Sequence, residues 1–366
     1  MPLKSLSFRL ISWVAAVLVG TALPLHAEER HYLAPSRVAD YIHSVIEADR
    51  TIYSEYIVER LNETINLPAT ETWEENDTLP LPAQFLLAAA RSVEDHDSGL
   101  KYRLMSLWPI NPRNGPRQEK EKEGLEQIAR NPEQPFTWIT QREGKTLFHA
   151  IYPDRAVTKS CVQCHNNHPK SSRRDFKKDD VMGGILISFP VTRREPAPGS
   201  LILGVAPEVA ADFVHAVLEA DRSFYSSQIV NRLQSKKIIY ASEHWWEENT
   251  LLLPAQFLLN ASELIRHRKL GLDFKLISLW PINPHNGPAN KFESVGLEEV
   301  TANPLRPYIG MTSVGNRAYF QAIYPDIAVT PACVSCHNTH PRSPKHDFKL
   351  FDVLGGIVVS LPLTQD

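Results

Sequence analysis

Cys161-Val-Gln-Cys164-His165-Asn166-Asn-His168-Pro169, running on through Asp175-Phe-Lys177 to Gly184, returns as Cys333-Val-Ser-Cys336-His337-Asn338-Thr-His340-Pro341. From Cys161 to Gly184, 15 of 24 positions are identical in the second copy, at an offset of 172 residues. The same offset carries Ser106-Leu-Trp-Pro-Ile-Asn-Pro to Ser278-Leu-Trp-Pro-Ile-Asn-Pro, Pro82-Ala-Gln-Phe-Leu-Leu87 to Pro254-Ala-Gln-Phe-Leu-Leu259, and Glu47-Ala-Asp-Arg50 to Glu219-Ala-Asp-Arg222. A period this long is not that of a solenoid repeat; it is a whole domain copied once. The copies run over 32–192 and 203–366, and the polar, proline-containing stretch 193–202 reads as a linker between them.

Each copy follows one pattern. Pro35 to about Asn62 is expected to be a helix, with Val38, Ile42, Val45, Ile52, Ile57 and Leu61 mainly on one side. Pro82 stands at a helix start, where its missing N–H costs nothing. Tyr102 to Trp108 reads as a strand, and Glu121 to Ala129 as a short charged helix stopped by Asn131-Pro132. Phe136–Thr140 and Thr146–Ile151 read as strands flanking the turn Arg142-Glu-Gly-Lys145, and Gly184–Phe189 as a last, buried strand. The fold class is therefore α+β: each domain is a long N-terminal helix packed on an antiparallel sheet, with the cysteine motif between the last two strands.

Cys-x-x-Cys-His is the attachment signature of c-type haem, in which two thioethers hold the porphyrin and the histidine reaches the iron. The chain has four cysteines, and the two motifs use all of them. A redox dithiol would expect a thioredoxin-like βαβ context, which the pattern lacks. A zinc site usually draws on two separated ligand pairs, whereas Cys161, Cys164, His165 and His168 crowd into eight residues. A disulfide across two intervening residues would close a tight, strained loop. The expectation is two covalently bound haems, at Cys161, Cys164 and His165 and at Cys333, Cys336 and His337.

The N-terminus, with Lys4 and Arg9 ahead of the apolar run Leu10–Leu23 and a small-residue end at Ala27, reads as a cleaved signal peptide over 1–27. The run is shorter than the ~20 apolar residues a membrane span needs. A periplasmic protein with no membrane attachment after cleavage is expected. Hydrophobic content of 43% and charged content of 22% are ordinary for a globular chain. The formal charge of −3 gives no electrostatic reason to expect nucleic acid or an anionic membrane as partner.

Cys-Val-x-Cys-His-Asn-x-His-Pro, Asp-Phe-Lys, Asp-Val-x-Gly-Gly, Ser-Leu-Trp-Pro-Ile-Asn and the Tyr-Pro-Asp before the motif together resemble a family of c-type haem domains with a PAS-like fold. Such domains serve as extracytoplasmic sensors of kinases, cyclases and chemoreceptors, and as stand-alone exported proteins. The resemblance covers nearly all of both copies and implies covalent haem in each. In one cyanobacterial relative the second axial ligand is a cysteine of the N-terminal helix; with every cysteine already in a motif, that feature does not carry over.

A ligand used by both domains should recur at the 172-residue offset. Of fourteen histidines, three pairs do: His165/His337, His168/His340 and His43/His215, and no methionine pair matches. His168 and His340 suit a bond to backbone or a propionate. His43 and His215 lie on the long helix with Glu47/Glu219 at i+4, a carboxylate such as often orients a ligating histidine, and are the candidate distal ligands; the other reading is a solvated polar stripe, or an iron open to a small ligand. Trp108/Trp280 and Tyr53/Tyr225 wall the haem or belong to the core, and Arg173, Arg174, Lys177 and Lys178 neutralise propionates, dock a partner or are solvated. The functional expectation is haem-based redox or gas sensing, with a separate signalling partner or a diatomic ligand. The alternatives are dihaem electron transfer to a redox partner and a haem peroxidase. No acid–base constellation recurs beside the motifs, which ranks the enzyme last.

Overall fold

The computed structural model describes residues 31–96, 98–197 and 200–363. The expected signal peptide lies outside the described residues. No described helix is long and apolar enough to cross a membrane.

In the first half, helix α1 (Pro35–Ile52) starts on a proline at its first position and passes without a break into a π-helical stretch, Tyr53–Glu59, and a last α-helical turn, Arg60–Ile65. Asn66, in the left-handed region at φ 55°, ends it. The expected helix is thus present, with a π segment in its middle, a feature that periodicity does not reveal. Helix α2 (Pro82–Asp95) follows, its start tied by the Gln84 side chain, which accepts from the Leu81 N–H at 2.9 Å. Then come strand β1 (Lys101–Met105), helix α3 (Glu119–Arg130), strands β2 (Phe136–Arg142) and β3 (Lys145–Arg155), helix α4 (Lys159–Asn167) and strand β4 (Val181–Ala197). The β2–β3 connection is a two-residue turn, with Glu143 and Gly144 both at positive φ, as the twist of a tight hairpin demands. The sheet order is β1-β4-β3-β2, antiparallel throughout. The Gly-Gly pair admits the close strand contact: a Cβ on Gly183 would lie 2.5 Å from the Met105 carbonyl oxygen.

Most of the stretch read as a linker is paired strand. β4 runs on to Ala197 and pairs with β5 (Ser200–Gly204), because continued antiparallel pairing satisfies backbone groups that an open connection would leave to water. The second half repeats the first: α5 (Pro207–Phe224), a π stretch Tyr225–Asn231, α6 (Pro254–His267), β6 (Asp273–Ile277), α7 (Lys291–Ala302), β7 (Tyr308–Val314), β8 (Arg317–Ile327), α8 (Pro331–Thr339) and β9 (Val353–Pro362), in sheet order β6-β9-β8-β7.

The two halves share one core. α1 packs on α6 and α5 on α2, and α1 meets α5 directly. Val38, Ile42 and Val45 of α1 are buried together with Val214 and Val217 of α5 and with inner-face residues of both sheets, such as Ile187 and Val359. A second shared cluster joins the π stretches: Tyr53 stacks on Phe85 and Tyr225 on Phe257, at 4.5 and 4.6 Å between centroids. Contacts are reciprocal, as across a twofold axis. Arg60 donates to the carbonyls of Trp245 and Thr250, while Arg232 donates to those of Trp73 and Thr78. Smaller cores sit under α3 and α7 on the outer faces of the sheets.

Candidate functional site

The cysteine motif occupies a short helix in the β3–β4 connection, and its twin the β8–β9 connection. Thr158 caps α4, its hydroxyl accepting from the Cys161 N–H at 3.2 Å; Thr330 does the same for Cys333 at 3.4 Å. On the helix, Cys161, Cys164 and His165 stand at i, i+3 and i+4 and so share one face. None of the four cysteines is paired in a disulfide.

The asparagine after the motif histidine pins this helix to the next segment. Asn166 Nδ2 donates to the Phe176 carbonyl at 2.9 Å and Oδ1 accepts from the Phe176 N–H at 3.0 Å. Asn338 and Phe348 repeat the pair at 2.9 Å each way. Phe176, buried with Ala156 and Met182 beneath the helix, meets the His165 ring edge-on at 5.9 Å. This asparagine stands in the repeated motif in both copies, but the sequence alone assigns it no role.

In the second half the motif opens on a cleft of about 490 Å³. Cys333, Cys336 and His337 form one wall. The other walls carry Arg222 and Ser226 of the α5–π helix, Leu253, Pro254 and Leu259 of α6, and Trp280-Pro281-Ile282-Asn283. The repeated Trp-Pro-Ile-Asn segment is therefore cleft lining. Ser278 holds it in place, donating to the Leu354 carbonyl at 2.6 Å and accepting from the Trp280 N–H at 2.9 Å.

Both motif histidines are held neutral. Desolvation, then the charge of Arg50 and neighbouring His168, push the His165 pKa down; desolvation, Arg222 and His340 do so for His337. In each, Nδ1 is buried with no hydrogen-bond partner. Desolvation raises the thiol pKa of Cys164, helped by Cys161 and Glu71, and that of Cys336, helped by Glu243 and Cys333. The arrangement presents two thiols and a neutral imidazole on the wall of a largely apolar cleft. Arg222, nine-tenths buried, is neutralised there by Asp326, as Arg50 is by Asp154 at 2.8 Å.

The remaining candidates are placed elsewhere. His168 does not stay on the motif face: the helix ends at Asn167, and His168 turns extended, accepts from the Lys170 N–H at 3.1 Å and faces Glu71 at 3.7 Å. His340 mirrors it with Arg342 and Glu243. Among the described residues no cluster of three His, Cys, Asp or Glu side chains is arranged to hold a metal by itself.

His43 and His215, the candidate distal ligands, lie on the inner side of the long helices. Each is buried and lies flat on a sheet tyrosine: His43 on Tyr152 at 4.0 Å, His215 on Tyr324 at 3.8 Å. His215 is not among the cleft-lining residues; Arg222, two helical turns or about 10 Å further along, is. The rings face the sheet because that is the apolar side of the helix, so they are not part of a solvated stripe. Burial, with Arg268 adding and Glu47 opposing, lowers His43 to about 4, and His215 falls to about 3 through burial, His96 and Arg222.

Trp280 lines the cleft, while Tyr53 and Tyr225 are core residues donating to the carbonyls of Pro80 and Leu252. Arg173 lies over Trp108 and Phe176 at 4.5 and 4.4 Å, and Arg174 donates to the carbonyls of Asn166 and Pro169, so half of the basic patch braces the motif loop.

No curated protein matches the chain. Among solved structures, the crystal structure of the cyanobacterial heme-protein Tll0287 aligns at 16% identity with a TM-score of 0.30, covering 43% of this chain and 97% of that one. The Tll0287-like family model matches 32–190 and again 206–362, one match for each half, and the chain belongs to that family.

Proposed function

We propose that the chain is a haem-binding protein carrying two covalently attached c-type haems, one per half, exported to the periplasm and used for redox or gas sensing. The observation that carries the reading is the cleft around Cys333, Cys336 and His337: two cysteines on one helical face and outside any disulfide, an imidazole with an unpartnered ring nitrogen, and a large apolar wall. The donor set fits a porphyrin held by two thioethers with a histidine on its iron.

In this reading Cys161 and Cys164, and Cys333 and Cys336, hold the porphyrin edge, and His165 and His337 take the proximal positions. When bound, the iron supplies one-electron redox chemistry and a site for a small ligand. The protein's part is orientation and exclusion of water: Asn166 and Asn338 fix the motif helices, and Trp280, Leu253 and Leu259 supply apolar contact. Arg222, paired with Asp326, completes the cleft wall.

The decisive experiment is intact mass measurement of the exported chain after maturation with c-type haem machinery. Two added haem masses are expected, falling to one in Cys161→Ser/Cys164→Ser; none would overturn the reading. Reduced spectra with carbon monoxide then separate the functions. A shifted spectrum supports ligand sensing, and no change at either haem favours electron transfer.

A further inference from the structure

Asp49 and Asp221 stand at equivalent positions of the two copies and meet where α1 crosses α5. They are 2% and 3% exposed, and the two carboxyl groups lie beside each other in that crossing. Two carboxylates cannot share a hydrogen bond without a proton between them, and two adjacent negative charges in an apolar interface cannot both persist. We propose that Asp49 and Asp221 form a proton-holding carboxyl pair on the pseudo-twofold axis, a catch that joins the two halves and weakens as pH rises.

Among the described residues the neighbouring cations of these helices are each paired elsewhere than with the two aspartates. On the same helices Arg50 is taken by Asp154, Arg222 by Asp326, and Glu47 by Arg268 at the end of α6. His43 and His215 face Glu47 and Glu219, and His96, at the end of α2, faces His215. From the sheets, β1 brings Tyr102, whose hydroxyl is buried without a hydrogen-bond partner and feels both carboxyl charges. Its counterpart in β6 is Phe274, which has no polar group to offer. Burial accordingly pushes both carboxyls up, Asp221 to about 7 and Asp49 well above its usual range, each beside the other.

The sign follows. A carboxyl whose folded pKa lies above its unfolded value holds a proton that the unfolded chain releases, so stability falls as pH rises through the interval between the two. Because the pair lies on the axis, one proton lost acts on both halves, next to Arg50 and Arg222. The catch concerns the interface, not the cysteine clefts, and stands whether or not haem is attached.

The test is infrared spectroscopy of the full chain with carbon-13-labelled aspartate, alongside urea unfolding from about pH 5 to pH 9. Wild type is expected to show a protonated aspartic acid carbonyl band at neutral pH, lost in Asp49→Asn/Asp221→Asn. Its unfolding midpoint should fall steadily from about pH 5 through pH 7, and Asp49→Asn should flatten that fall by at least half. Absence of the band at pH 7, or an unchanged slope in Asp49→Asn, would overturn the proposal. Should the variants not fold, the band in wild type alone decides.

Discussion

Asn166→Ala should loosen the first motif helix without touching a cysteine or a histidine. The side chain makes two hydrogen bonds to the backbone of Phe176, a residue 3% exposed. Alanine leaves one N–H and one C=O without a partner in a site where water enters poorly. Each such orphan costs about 1–3 kcal/mol. Partial hydration at the half-exposed asparagine end argues for the lower part of that range, so the sum is about 3 kcal/mol. With an unfolding entropy of roughly 2 cal/mol/K per residue over this chain, Tm falls by about 4 °C. Calorimetry measures that loss. Mass spectrometry of the matured chain measures the second consequence, incomplete modification at Cys161 and Cys164 with the Cys333–Cys336 site still loaded. Asn338→Ala should give the mirror image. A stability within about 0.5 kcal/mol of wild type, together with full loading of the first site, would refute the clamp.

Arg222→Met strands Asp326 in the interior and is expected to cost about 3–5 kcal/mol by urea unfolding, while Arg222→Met/Asp326→Leu recovers most of it. Gly183→Ala sets a methyl against the Met105 carbonyl and should destabilise by about 1–3 kcal/mol; a neutral result would mean that β1 yields without cost. His43 is buried neutral, with a pKa of about 4 against an ordinary 6.5, so the unfolded chain takes up a proton first as pH falls. Its contribution is complete above pH 6.5 and lost towards pH 4, about 3 kcal/mol in all. His43→Phe should remove that acid-side loss, and identical wild-type and variant stabilities at about pH 4.5 relative to pH 7 would contradict it.

Much of the fold was legible because local chemistry wrote it. Alternation in Phe136–Ile151, the Glu-Gly turn and the proline at the start of α2 are short-range signals, and each element formed close to its expected place. The π stretch at Tyr53–Glu59 escaped, since its apolar side continues that of α1 and only the hydrogen-bond register changes. The site was half legible. Covalent chemistry requires its cysteines and histidine side by side, so Cys161, Cys164 and His165 were visible as a string. The clamp by Asn166 and the pairing of Arg222 depend on partners 10 and 104 residues away.

The duplication, the two cysteine motifs and the α+β order of elements were determined by the sequence alone, because each rests on spacing within one segment or on identity between two. Tertiary packing decided the rest. Helical spacing put His43 and Arg50 on nearby faces, and could not say that His43 would lie on Tyr152 while Arg222, the twin of Arg50, lines a cleft. Nor could it say that the halves would merge into one core. That merger follows from each half having a helix face too apolar to leave in water, which the other half's equivalent face covers. It also brings two identical aspartates together on the axis, a juxtaposition that exists in neither copy by itself.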